Sequence, residues 1–126
     1  MIGSVERDGL LTVMLKRPEK ANSLTKAMLE DLDAAFAATT AQAVILTGEG
    51  KVFSAGADLD EARAGLATDP VWDRLSTRIA GLPCLTIAAL NGTLAGGAMG
   101  MVLACDVRLA VPAAKFFYPV MKLGYL

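Results

Sequence analysis

The apolar and β-branched residues of "IGSVERDGLLTVMLKR" fall on either side of Asp8-Gly9, a dipeptide suited to the positive φ angles of a tight turn. The pattern predicts that the chain opens with a β-hairpin. Pro18 then breaks the run. In "RPEKANSLTKAMLEDLDAAF" the spacing changes, with Leu24, Met28, Leu32 and Phe36 on one helical face and Asn22, Ser23 or Thr25 available as the cap. Downstream, "QAVILTG" reads as a buried strand ending at Gly48, and "EGKVFSAGADL" as a second strand running into a glycine-containing loop. The charged, Ala/Gly-rich "LDEARAGLATDP" gives no definite element, only a loop or a short helix.

"PVWDRLSTRIAGLP" predicts a helix opened by Pro70, with Trp72, Leu75 and Ile79 inward and Gly81 and Pro83 at its end. The run "CLTIAAL" is a buried strand by its β-branched content, and "VRLAV" and "KFFYP" are two more around Pro112. Strands alternating with helices put the chain in the α/β class. No internal repeat, linker or low-complexity tract divides it, so residues 1–126 are expected to form one domain.

The most apolar stretch, "CLTIAALNGTLAGGAMGMVLAC", admits three readings. It is long enough to cross a bilayer, and Gly92, Gly96 and Gly100 repeat at every fourth position. Against a membrane helix, Asn91-Gly92 is a strong turn signal in its middle and Gly96-Gly97 weakens any helix through it. A dinucleotide fingerprint fails on spacing, because the glycines fall as G-x-x-x-G-G-x-x-G. The third reading is strand, turn, loop and helix, with Gly96-Gly97 leading into "AMGMVLAC" and leaving backbone N–H groups free at the helix start. A second loop of the same kind is "SAGADL", where a turn at Gly56 can present the amide of Ala57 to the same space. Two such donors aimed at one oxyanion are a known catalytic device, each worth about 10²–10³ in rate.

Composition narrows the chemistry. The formal net charge is −1, so no basic field exists to hold nucleic acid or an anionic membrane. The chain has no histidine, which excludes a Ser-His-Asp or Cys-His nucleophile and a His-ligated zinc site; no metal is expected. Cys84 and Cys105 sit in apolar runs and read as reduced, buried thiols. The first ten residues reach Glu6, Arg7 and Asp8 without a long apolar core, unlike a secretory signal, and a cytoplasmic location is expected.

Four segments occur in order: "KRPEKANSLTKAMLEDL", "AVILTGEGKVFSAGADLDE", "PCLTIAALNGTLAGGAMGMVLACDVRLA" and "AAKFFYPVMKLG". Together they resemble the crotonase superfamily, the enoyl-CoA hydratase/isomerase group, through nearly the whole chain. The resemblance implies a spiral of ββα turns, assembly as a homotrimer or dimer of trimers, and an acyl thioester carried on coenzyme A as substrate, with no separate cofactor. It implies an oxyanion hole at the N–H groups of Ala57 and Gly97, with Gly96 beside the latter. Ala55 would meet the adenine end through its carbonyl, with Asp58, Leu59 and Asp60 beside the thioester. Lys16, Arg17, Lys20 and Ala21 would lie near the coenzyme's nucleotide end, where positive charge suits phosphates.

Hydratases of this group carry two glutamates as acid and base, and the matching positions here are Gly100 and Val120, neither able to move a proton. The expected activity is therefore isomerisation or another enolate reaction rather than two-glutamate hydration, or else thioester binding with little or no catalysis. Asp60, Glu61, Asp69, Asp73 and Tyr118 remain as candidate proton carriers, while Asp106 reads as structural. The chain is about half as long as members of the group, and its high apolar content, 54% against a usual ~45–50%, favours a fragment whose C-terminal helical part lies beyond residue 126.

Overall fold

A computed structural model of the protein describes residues 1–118. The opening hairpin pairs strand β1 (Ile2–Arg7) antiparallel with β2 (Leu10–Leu15), and the turn has Asp8 at φ 53° and Gly9 at φ 81°. These angles are those of the mirror-image turn whose twist matches the flanking strands. A 3₁₀ turn at Pro18–Lys20 leads into helix α1 (Lys26–Ala38), which is capped by Thr25, whose side chain accepts from the Met28 N–H at 3.1 Å. Of the three candidate caps the third one serves. Met28, Leu29, Leu32 and Phe36 bury the inner face of the helix.

From there the chain climbs in ββα turns. The first turn comprises β3 (Ala43–Gly48), β4 (Val52–Ser54), the short helix α2 (Leu59–Arg63), a 3₁₀ turn at Leu66–Thr68 and helix α3 (Val71–Ala80). The second comprises β5 (Leu85–Leu90), β6 (Thr93–Ala95) and α4 (Ala98–Leu103), and a third begins with β7 (Val107–Ala110) and β8 (Phe116–Phe117). Equivalent strands stack in parallel, giving one sheet in the order β1-β2-β3-β5-β7 and a second in the order β4-β6-β8. This is the expected spiral. The core lies between the sheets and the helices, built on Val13, Leu15, Leu24, Leu46, Phe53, Leu75, Leu94 and Met101.

One open reading is decided and two others change. The charged "LDEARAGLATDP" contains α2, started by the Asp58 side chain accepting from the Glu61 N–H. Residues 93–95, expected as loop, form a strand because β4 and the Phe116 segment offer backbone partners on both sides. In α3 the fully buried stripe is Val71, Leu75 and Ile79, and Trp72 lies at its edge, half-buried and packed against the core. No helix among the described residues is long and apolar enough to cross a membrane.

Cys105 is buried, and burial pushes its thiol up to about 11, whereas Cys84 is half-buried. A thiol reagent at pH 8 is therefore expected to label the native protein once, at Cys84, and twice after denaturation; intact mass reports both counts.

Candidate active site

The site is a product of the parallel pairing of β4 with β6, because Val52 and Ser54 align with Thr93 and Leu94. Two strands in this register end on the same side of the sheet, so the segments that follow them, 55–58 and 96–97, meet although they are about forty residues apart in sequence. Their contact is backbone on backbone. A Cβ at Gly56, whose φ is 96°, would lie 2.9 Å from the Ala95 carbonyl oxygen and 3.3 Å from the Gly97 nitrogen. Glycine is required there both by the angle and by the space.

Each loop leaves one amide over. On the first, the Leu24 N–H donates to the Gly56 oxygen at 2.7 Å and the Asp58 N–H to the Leu24 oxygen at 2.9 Å. Alternation along an extended backbone then turns the Ala57 N–H away from Leu24. On the second, the Gly96 N–H is taken by the Phe117 oxygen at 2.9 Å, while Gly97 caps α4. The Gly96 amide is thus taken within the fold. Neither the Ala57 nor the Gly97 N–H has a hydrogen-bond partner among the described residues.

Both residues line one cavity of about 320 Å³. Helix α3 contributes Trp72, Asp73 and Ser76 to its lining, and Ala67, Thr68, Asp69, Gly100 and Tyr118 complete it. Trp72 is fixed by its Nε1–H donating to the Leu66 oxygen at 2.8 Å, and its ring comes within 3.0 Å of where a Cβ on Gly97 would sit. Gly100 faces Ser76, whose Oγ is 3.3 Å from the corresponding Cβ position. Trp72, Ser76 and Thr68 are site residues that the sequence reading missed. A helical wheel phased on Val71 rather than on Trp72 would have found the first two.

The expected binding residues separate into groups. Lys16 and Lys20 are exposed, as are Ala55, Leu59 and Asp60. The Arg17 guanidinium is held within the fold: Nη1 donates to the Asp58 carboxylate at 3.0 Å and to the Ser23 carbonyl and hydroxyl. Ala21 has φ 52°, and its carbonyl accepts the Ala55 N–H, tying the first motif to the site loop. Of the five candidate proton carriers, Asp69, Asp73 and Tyr118 line the cavity. The Asp60 side chain stands out in solvent near Arg63, and the Glu61 carboxylate accepts from the Lys26 N–H. Asp106 has the structural role read for it, exchanging hydrogen bonds with Thr86. Val120 lies outside the described residues.

Asp58 and Asp69 are held below the usual aspartate value near 3.8. For Asp58 the cause is first the Glu61 N–H and then the Arg17 guanidinium; for Asp69 it is first the Lys26 ammonium and then the Val71 N–H. A carboxyl whose folded value is depressed adds stability that is complete above about 3.8 and is lost as the pH falls through the folded value. The melting temperature should therefore hold steady from neutral pH down to about 4 and fall below it. In the Asp58→Asn/Asp69→Asn double variant that acid-side slope should be shallower, a difference that thermal melts at pH 2.5 to 6 would read.

With this geometry in place, comparison with known proteins is informative. The Enoyl-CoA hydratase/isomerase family model matches residues 6–126. An enoyl-CoA hydratase of Alternaria alternata is 35% identical over 126 residues, which is 95% of this chain and 42% of the relative. A 4-chlorobenzoyl coenzyme A dehalogenase of an Arthrobacter species is 36% identical over 96% of this chain and 49% of its own. The crystal structure of an enoyl-CoA hydratase from Bacillus anthracis superposes with a TM-score of 0.83 at 34% identity, covering 98% of this chain and 52% of that one. The chain spans about half the length of the curated relatives it matches.

Proposed function

The chain belongs to the enoyl-CoA hydratase/isomerase family, and on that footing we propose that it binds an acyl-CoA thioester with the carbonyl oxygen between the N–H groups of Ala57 and Gly97. The observation that carries the reading is the pair of amides without partners among the described residues, on touching loops, facing one cavity. A proton lost from the carbon next to a thioester leaves its charge largely on oxygen. Two fixed N–H donors stabilise that enolate more than the neutral thioester, which is what lowers a barrier. They need no titration, so the absence of histidine is no obstacle.

The dehalogenase relative acts, by its name, on a different acyl group from the enoyl-CoA hydratase relative. What the two names share is a coenzyme A thioester, and that is the substrate class proposed here. With glycine at position 100, two-glutamate addition of water is disfavoured and isomerisation or another enolate reaction is favoured. Coenzyme A enters as part of the substrate, with no separate cofactor. The reading carries with it a cytoplasmic location and assembly as a homotrimer or dimer of trimers. The exposed Leu109, Phe116 and Phe117 support an apolar surface for such contacts.

A second reading, thioester binding with little or no catalysis, rests on the same Gly100. One experiment separates the two. Full-length protein is incubated with a saturated acyl-CoA in D₂O, and the proton signal next to the thioester is followed by NMR. Loss of that signal at a rate proportional to protein is expected. Broadening without exchange would support the binding protein, and neither effect would overturn the substrate class.

A further inference from the structure

Helix α4, Gly100 included, carries no titratable side chain, so among the described residues a proton carrier comes from another wall of the cavity. Three titratable side chains among the described residues line it: Asp69, Asp73 and Tyr118. Asp69 is committed elsewhere, with one oxygen 2.9 Å from the Lys26 ammonium and the other accepting the Val71 N–H at 2.8 Å. Its charge anchors the start of α3 to α1. Tyr118 offers a phenol O–H, a donor at the cavity's edge rather than a carboxylate acceptor. Asp73 differs from both. It sits in the first turn of α3, and its carboxylate has no hydrogen bond or ion pair among the described residues.

The backbone that carries Asp73 is well held. Val71 and Leu75 on either side of it are buried, and the neighbouring Trp72 is pinned through its indole N–H to the Leu66 oxygen while its ring packs over Gly97. Trp72 thus holds this turn against the Gly97 segment, and the Asp73 carboxylate is exposed at the cavity. Such an arrangement has a fixed element beneath it and a free acceptor at its tip, as proton transfer requires.

We propose that Asp73 moves the proton in this site, taking it from the carbon next to the thioester carbonyl and returning it; the inference rests on the thioester reading above. In the forward step the C–H bond breaks and its electron pair becomes the carbon–carbon π bond of the enolate. The carbonyl π pair moves to the oxygen held by Ala57 and Gly97, and the proton passes to the Asp73 carboxylate. Return of that proton to the same carbon gives exchange with solvent. With an unsaturated acyl chain, return to the carbon two positions along gives a double-bond isomer. No co-reactant is consumed in either case.

The test compares wild type, Asp73→Asn and Asp73→Glu as full-length proteins, using butyryl-CoA in D₂O for exchange and calorimetric titration with the same thioester for affinity. Asp73→Asn is isosteric and breaks no hydrogen bond or ion pair among the described residues, so the fold should hold and the binding constant should stay within about threefold. Exchange should fall by about 10²–10⁴, the usual contribution of a positioned base. Asp73→Glu should recover part of the loss. Exchange in Asp73→Asn equal to wild type would overturn the assignment while leaving the oxyanion site standing. Absence of exchange in wild type itself would instead overturn the thioester-enolate reading on which the assignment depends.

Discussion

Gly97→Pro is expected to lower exchange at the carbon next to the thioester by about 10²–10³, the loss that follows removal of one oxyanion donor. The position suits this test. Gly97 has φ −59°, close to the value that the proline ring imposes, and its N–H has no internal partner among the described residues to be broken. What the substitution removes is the donor. It also adds carbon near the Trp72 ring, where even a Cβ would lie at 3.0 Å, so Gly97→Ala serves as the steric control. Alanine keeps the N–H and should lose less than tenfold. A proline variant that is folded by circular dichroism and exchanges like the alanine variant would show that this amide does not hold the charge.

The second large effect concerns stability. Asn22 is fully buried in the left-handed region at φ 52°, and it holds three segments together. Its Oδ1 accepts the Arg17 N–H at 2.8 Å, and its Nδ2 donates to the Glu49 and Val52 oxygens, each at 2.9 Å. Its carbonyl accepts the Ser54 hydroxyl, which in turn accepts the Gly56 N–H at the base of the site loop. Alanine would leave the Arg17 N–H and the Glu49 oxygen without their partner, whereas the Val52 oxygen would keep its bond from Asn91. Two orphaned groups at about 1–3 kcal/mol each, with the αL strain of alanine added, predict a loss of about 3 kcal/mol. For a chain of this size that lowers the melting temperature by about 10 °C. Asn22→Asp, which sets a buried carboxylate oxygen against the Glu49 and Val52 carbonyls, should cost at least as much. A melting temperature for Asn22→Ala within 2 °C of wild type would contradict the account.

These residues mark where the sequence was legible. Asp8-Gly9, the Met28/Leu32/Phe36 stripe and the β-branched runs declare their elements because the signal for each lies within a few neighbouring residues. The ordered motifs likewise point to the family without any geometry. Asn22 was one of three candidate helix caps, since a cap is what asparagine before a helical stripe usually provides; its partners at Glu49 and Val52 lie about thirty residues away. The same distance hid the cavity wall. Trp72 reads as core by its size and spacing, and it does pack against the core; what the spacing does not show is that its ring also lines the cavity beside Gly97. Among the candidate acids, composition could not separate Asp69 from Asp73, since the difference between them is an ion pair to Lys26 formed across the fold.

The central claim is that the Ala57 and Gly97 amides hold a thioester carbonyl, and infrared difference spectroscopy addresses the bond itself. An acyl-CoA labelled with ¹³C at the carbonyl would be compared free, bound to wild type and bound to Gly97→Pro. Two N–H donors weaken the C=O bond, so the account predicts a carbonyl band moved to lower frequency on binding to wild type and returned most of the way toward the free position in the proline variant. A bound thioester whose carbonyl absorbs at the frequency of the free ligand in wild type would contradict it.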